Sequence, residues 1–189
     1  MEKISEDISL KITEYQDRAH VTRRSHYLAS SIAEQKNFWL GIPVVVITAV
    51  VGTSIFGTLQ DNPSVHIKIA AGVLSISATI LAALQTYLGF SEKSIKHKEA
   101  GARYAAIWRC LDLLNLELRS EGDNFAKKAI EELKRIVARL DEVGKESPTV
   151  PDRAYKTAVM ELRSRPATAR TQPSHQPAQV KDAVAAADN

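Results

Sequence analysis

Cysteine is almost missing from this chain of 189 residues: Cys110 stands alone. One thiol excludes an intramolecular disulfide and any cysteine-based zinc cluster, and it fits a reducing compartment. The histidines (His20, His26, His66, His97 and His175) are scattered, with no HExxH and no spacing that chelates a metal. No GxGxxG, GxxxxGK[ST] or GxSxG occurs, so the common phosphate cradles and the nucleophile elbow are absent. A formal net charge of +3 is too small to argue for direct binding of nucleic acid. No nucleophile–base pair or paired carboxylates stand at usable spacing. The sequence therefore assigns no catalytic residue, cofactor or metal ligand, and an enzyme is not expected.

The most informative scarcity is that of charge in the middle of the chain. Between Phe38 and Phe90 only Asp61 and Lys68 are charged. That partition rules out both an ordinary soluble globule and a disordered chain. Residues 38–59 form one uncharged run of 22 residues and 69–90 a second of the same length. At ~1.5 Å per residue each reaches roughly 33 Å, enough for a ~30 Å hydrocarbon layer. The first run begins behind a long charged segment and no small-residue cleavage site follows it, so a cleavable signal is not expected and both spans should persist. The alternative, a hydrophobic hairpin hidden inside a soluble oligomer, demands that two consecutive runs of this length be covered by protein.

The link Gln60–Ser64 (QDNPS) has turn composition, and so short a link forces an antiparallel hairpin with both termini on one side. Arg18, Arg23, Arg24 and Lys36 precede the hairpin; Lys93, Lys96, Lys98, Arg103 and Arg109 follow it; the link region has only Lys68. Positive residues stay inside, which predicts cytoplasmic termini and a multi-pass protein of the cell (inner) membrane. Trp39, Tyr87 and Phe90 are placed to anchor the hairpin at that same interface. Lys68 falls at the outer end, where it can snorkel to headgroups. Pro43 reads as a proline tolerated in the first turn of its span.

Helices in lipid associate through small residues and interhelical hydrogen bonds. The first span offers Ala49, Thr53 and Gly57 at four-residue spacing, beside Thr48 and Gly52. The second offers a longer stripe, Gly72, Ser75, Thr79, Ala83 (or Ala82) and Thr86, opposite a bulky face of Ile69, Val73, Ile76, Ile80, Leu84 and Tyr87. Two readings of the stripe stand: it packs against the first span of the same chain, or its hydroxyls line a pore shared by several copies.

Outside the spans, apolar residues recur at helical spacing. Ile4, Ile8, Ile12, Tyr15 and Ala19 make residues 1–37 an amphipathic N-terminal helix. Ala100, Tyr104, Ile107, Trp108, Leu111, Leu114 and Leu118 form a seam alternating by three and four. Gly89 and Gly101 permit a bend between the second span and this helix without requiring one. The Glu121–Asn124 segment (EGDN) reads as a helix stop and a new cap. A further helix over about 124–144 presents Phe125, Ala129, Leu133, Ile136, Val137 and Leu140, with Lys127–Glu131 and Lys128–Glu132 as solvated i, i+4 pairs on its other face.

The expected fold is all-α: a two-span transmembrane helical hairpin (38–90) with a cytoplasmic helical bundle built from 1–37 and 91–145. A linker and short helix occupy 146–163, and 164–189, rich in Ala, Pro and Gln, reads as a disordered tail. Lys96, Lys98 and Arg103 are placed to meet anionic lipid headgroups. Arg103, Tyr104, Trp108 and Arg109 are the local candidates for a gating or partner surface, with Tyr104 and Trp108 alternatively belonging to the core seam.

Two segments together resemble a known family. His97–Leu118 (HKEAGARYAAIWRCLDLLNLEL), around Ala100, Arg103, Tyr104, Ile107, Arg109 and Leu111, is similar to the stretch that follows the second span in the SLATT family, the SMODS- and SLOG-associating two-transmembrane effectors. Thr13–Tyr27 (TEYQDRAHVTRRSHY), with Tyr15, Arg18 and Ala19, resembles that family's segment before the first span. The likeness covers roughly residues 5–145. It implies an effector in bacterial antiphage or conflict systems, a homo-oligomer that forms a membrane pore and kills or arrests the cell. A cytoplasmic sensor protein or a nucleotide second messenger would supply the trigger. A competing reading from the residues alone is a non-conducting membrane anchor or scaffold that recruits a cytoplasmic partner.

Overall fold

The computed structural model describes residues 2–58, 64–121 and 125–164, with side chains described for 5–53, 64–120 and 125–164. Five helices follow one another: α1 (Glu2–Thr58), α2 (Val65–Leu88), α3 (Phe90–Glu121), α4 (Ala126–Glu146) and α5 (Asp152–Ser164). There is no strand among the described residues. The link 60–63, the stop at 122–124, the surroundings of Gly57 and the tail 165–189 lie outside them.

The N-terminal amphipathic segment and the first span are one helix of 57 residues. Composition changes sharply near Phe38, but nothing there breaks the backbone. Pro43 consequently lies deep inside α1, not in the first turn of a separate helix. Proline removes one N–H, which leaves the Trp39 carbonyl without its usual donor beside an exposed aromatic ring.

α2 and α3 are divided by Gly89, whose φ of 55° and ψ of 36° are left-handed. The break is local. Gly89 N–H still reaches the Gln85 carbonyl at 3.3 Å, and Lys93 N–H reaches the Gly89 carbonyl at 3.0 Å. The bend that the sequence only permitted is thus made here, while Gly101 stays inside α3. A side chain at Gly89 would meet only Glu92 Oε2, at 3.9 Å, so the penalty for any other residue is one of backbone conformation. Gly89→Ala is expected to destabilise the protein by about 1–2 kcal/mol, the cost of holding an L-residue left-handed. Gly89→Asn should cost less. Thermal unfolding of the two variants in detergent checks the order.

α1 packs against α2, α3, α4 and α5, and α3 also packs against α4. The core sits at the end of the bundle far from the spans. Ile8, Ile12 and Ala19 of α1 meet Tyr104, Ile107, Trp108, Leu111, Leu114 and Leu118 of α3, closed by Phe125, Ala126, Ala129 and Val143. Tyr104 and Trp108 are therefore core residues, 6% and 3% exposed. On α4 the ion pair is Arg135 with Glu132 at 2.8 Å, while Lys128 lies over the Phe125 ring at 5.1 Å. α5 lays buried Ala154 and Ala158 inward and is tied to α1 by Arg24, whose guanidinium donates to both Glu161 oxygens at 2.6 and 3.0 Å.

The apolar stretches have no such cover. In the most apolar window of each long helix, 0% and 6% of the residues are buried inside the protein. Such surfaces stay out of water by being placed in lipid or against other chains.

Candidate functional site

Each turn of α2 offers three directions, and among the described residues only the one toward α1 meets a neighbour in this chain. Toward α1 face Ala78, buried, and the half-buried Ala71, Leu81, Gln85 and Leu88. Gln85 Nε2 donates to Asn37 Oδ1 at 3.5 Å and also approaches Gly41, so a polar contact fixes the base of the hairpin. The bulky residues Ile69, Val73, Ile76, Ile80 and Tyr87 are 59–88% exposed, a face suited to acyl chains.

The small stripe takes the third direction. Gly72, Ser75, Thr79, Ala83 and Thr86 are all exposed, and nothing lies within 4 Å of a Cβ placed on Gly72. At 100° per residue the stripe lies well over a right angle from the residues that touch α1. None of the five is buried against the first span of its own chain. Thr79 Oγ1 donates to the Ser75 carbonyl at 2.9 Å and Thr86 Oγ1 to the Ala82 carbonyl at 3.1 Å. Back-bonding of this kind satisfies the hydroxyl proton and leaves oxygen lone pairs facing outward. On α1, Ala49 and Thr53 are exposed as well.

At the bundle end of the spans, Trp39 and Tyr87 are 74% and 88% exposed, while Phe90 is half-buried with Lys36 and Lys93 near its ring at 5.6 and 5.7 Å. The cations placed at headgroups by the sequence have carboxylate partners within the chain. Lys96 pairs with Glu92, Lys98 with Glu34, and Arg103 with both Glu99 and Glu146. Arg103 borders an open cleft of about 390 Å³ that Lys96, Ser147 and Pro148 also line. Arg109 is exposed on α3. With Tyr104 and Trp108 in the core, the four residues proposed as a gating or partner surface do not form one surface. Among the described residues no group of three or more His, Cys, Asp or Glu side chains is placed to hold a metal.

The sequence reading missed the polar pairs that join α1 to α3. Polar pairs run along its length: Ser9 Oγ to Asn115 Oδ1 at 3.1 Å, Gln16 Nε2 to Asp112 Oδ1 at 3.3 Å, His26 Nδ1 with His97 Nδ1 at 3.0 Å, and Ser30 Oγ with Ser94 Oγ at 2.9 Å. Arg23 joins them by lying over the Trp108 ring at 5.5 Å. Ser9, Gln16, Arg23, Ser30 and Asn37 stand seven residues apart. That heptad of polar residues is the signal in the sequence that pointed to an antiparallel coiled seam.

An apolar hairpin left uncovered by its own chain, joined to a helical bundle through the long helix α1, is the architecture of a two-span membrane effector. The family of SMODS and SLOG-associating 2TM effector domains, family 4, matches residues 8–172. This chain belongs to that family. The match takes in both apolar stretches and all of the described bundle but the first residues of α1, and it runs past residue 145, where the legible likeness ended. The chain is thus a two-transmembrane effector domain of a family associated with conflict systems, and a membrane protein. No curated protein and no solved structure matches it.

Proposed function

We propose that this SLATT protein is an oligomeric, gated pore-forming effector of a bacterial antiphage or conflict system, whose opening kills or arrests the cell. One observation carries the reading: the Gly72–Thr86 stripe is exposed and separate from both the α1 contact and the bulky face. A helix that needs only its hairpin partner and lipid needs two faces; α2 has three. Two spans cannot enclose a conduit, so several copies would bring their stripes together around it, with the Ser75, Thr79 and Thr86 oxygens solvating what passes. The bulky face then meets acyl chains, and the basic residues around the bundle keep both termini in the cytoplasm at the inner membrane. The protein acts without catalysis. Its trigger is a cytoplasmic sensor protein or a nucleotide second messenger that binds the open arrangement more tightly.

Thr79→Leu tests the reading in reconstituted vesicles. In a pore, leucine at this exposed position should cut dye release or single-channel current severalfold while expression and oligomer size persist. If the stripe instead glues copies into a closed scaffold, the substitution should dissociate the oligomer. Vesicles that stay tight with the wild-type protein under sensor or nucleotide triggers would count for the non-conducting anchor.

A further inference from the structure

The α1/α3 seam changes character along its length. Away from the membrane it is apolar, with Ile8, Ile12, Ile107, Leu111, Leu114 and Leu118 all buried. Between that core and the spans, the buried residues are Ser25, His26, Ala29, Ser30 and Ala33 on α1 and Ser94, His97, Ala100 and Gly101 on α3. Small and polar side chains withdraw little apolar area from water, so this upper stretch is held chiefly by its paired polar groups. Its largest pair is His26 with His97, 2% and 7% exposed, on two helices that each continue toward the membrane.

We propose that His26 and His97 form a proton-operated latch, which holds α1 to α3 beneath the spans while both rings are neutral and releases the upper seam when the pair is protonated. The 3.0 Å contact joins two Nδ1 atoms, so one must carry its proton and the other its lone pair. A proton on each ring sets two N–H donors against each other. A single added proton leaves a buried cation that needs a counter-ion, and none is free to serve.

The surrounding charges explain why. On α1, Arg23 lies one turn below His26 against His20 Nδ1 at 3.2 Å, Arg24 is bound to Glu161 of α5, and Glu34 is bound to Lys98. On α3, Lys93, Lys96 and Lys98 surround His97 in sequence, with Glu92 taken by Lys96 and Glu99 by Arg103. α4 reaches the site at Gly144, next to the Tyr104 hydroxyl, and Glu146 beyond it is held by Arg103 while Lys145 adds a further cation. Tyr104 stacks on His26 with ring centroids 5.5 Å apart and an interplanar angle of 18°. It covers the imidazole without offering a negative charge. Among the described residues, the carboxylates named on these helices are therefore already committed to other cations. Burial, then the neighbouring His97, depresses His26 to about 4, and burial lowers His97.

The sign follows from that direction. Groups whose proton affinity is lowered by folding contribute fully above their ordinary value near 6.5, and the contribution is lost as pH falls through that value toward about 4. Acid should open the upper seam and spare the apolar lower one.

The experiment is a spin-label distance measurement on the full chain in nanodiscs, in a Cys110→Ser background, since Cys110 is exposed. One label pair sits beside the latch at Ser31 and Lys96, another beside the core at Glu14 and Arg109; all four positions are exposed. From pH 8 to pH 4 (chosen as roughly bracketing the ordinary histidine value), the upper distance should lengthen by several ångström and the lower should hold. In the double variant His26→Gln/His97→Asn, in which neither position takes a proton, the upper distance should no longer respond. Either single variant, with one buried ring left to titrate, should respond less than the wild type and serves if the double variant does not fold. An unresponsive wild type, an equal response in the neutral variants, or simultaneous opening of both label pairs would each overturn the latch. The measurement reads the seam without reading current, so it can fail or succeed apart from the pore reading.

Discussion

Leu111→Ala is expected to destabilise the bundle by about 2–5 kcal/mol, the range for truncating a fully enclosed leucine. Leu111 is 0% exposed and lies in the cluster where α1 and α3 meet, which also contains Ile12, Ile107 and Phe125. The surrounding side chains come from long helices that cannot collapse inward independently, so the void should persist and the cost should fall in the upper part of that range. The fluorescence of Trp108, itself in the cluster, reports the transition in a Trp39→Phe background. Leu113→Ala makes the control. Two residues away on the same helix and 60% exposed, it should change stability by no more than about 0.5 kcal/mol, as for ordinary surface substitutions. A small loss at Leu111 would mean that α1 and α3 do not share a closed core.

Ala78→Asp should prevent stable membrane integration of the hairpin. Ala78 is the one buried residue described on α2, where it faces α1 near the centre of the span. A carboxylate at the middle of a spanning helix costs about 2.5–3.5 kcal/mol on insertion scales, and here it would also be pressed into a close helix–helix contact. Alkaline extraction of membranes from expressing cells should find the variant shifted toward the soluble or degraded fraction. Ala78→Leu separates the two costs: it keeps insertion but overpacks the contact, by about 1–3 kcal/mol. It should weaken the hairpin inside one chain, whereas Thr79→Leu, one residue further, acts on the exposed stripe.

Those adjacent residues illustrate what was legible in the sequence. The spans could be read because length and absence of charge are sufficient statistics for a helix that crosses lipid. The helical seam around Leu111 could be read because apolar spacing by three and four survives in a soluble bundle. The three faces of α2 could be sorted into small and bulky, but not into paired and unpaired, because that depends on how the helix is rotated against α1. Ala78 and Thr79 are neighbours of similar size, and only packing distinguishes them.

Other features depended on partners distant in the chain. Ser30 and Ser94 are 64 residues apart, His26 and His97 71, Ser9 and Asn115 106. No local pattern joins such pairs, although the seven-residue recurrence on α1 marked Ser9 and Ser30, the α1 members of two of them. The pairing of Lys98 with Glu34 and of Arg103 with Glu146 was equally out of reach, the partners lying 64 and 43 residues away. At Gly89 the residue type allowed a left-handed turn, and the structure makes it between α2 and α3.

The unbroken course of α1 has a mechanical consequence. A helix of 57 residues is roughly 85 Å long at ~1.5 Å per residue, and it runs from the bundle into the apolar stretch as one helix, with Pro43 as its interior proline. It behaves as a lever: a few degrees of tilt imposed at its foot become a displacement of several ångström at its far tip. Its companion is articulated at Gly89 and can absorb the same motion. A force applied to the bundle would therefore slide one rod past the other inside the bilayer, and the two halves of the hairpin would not move as a block.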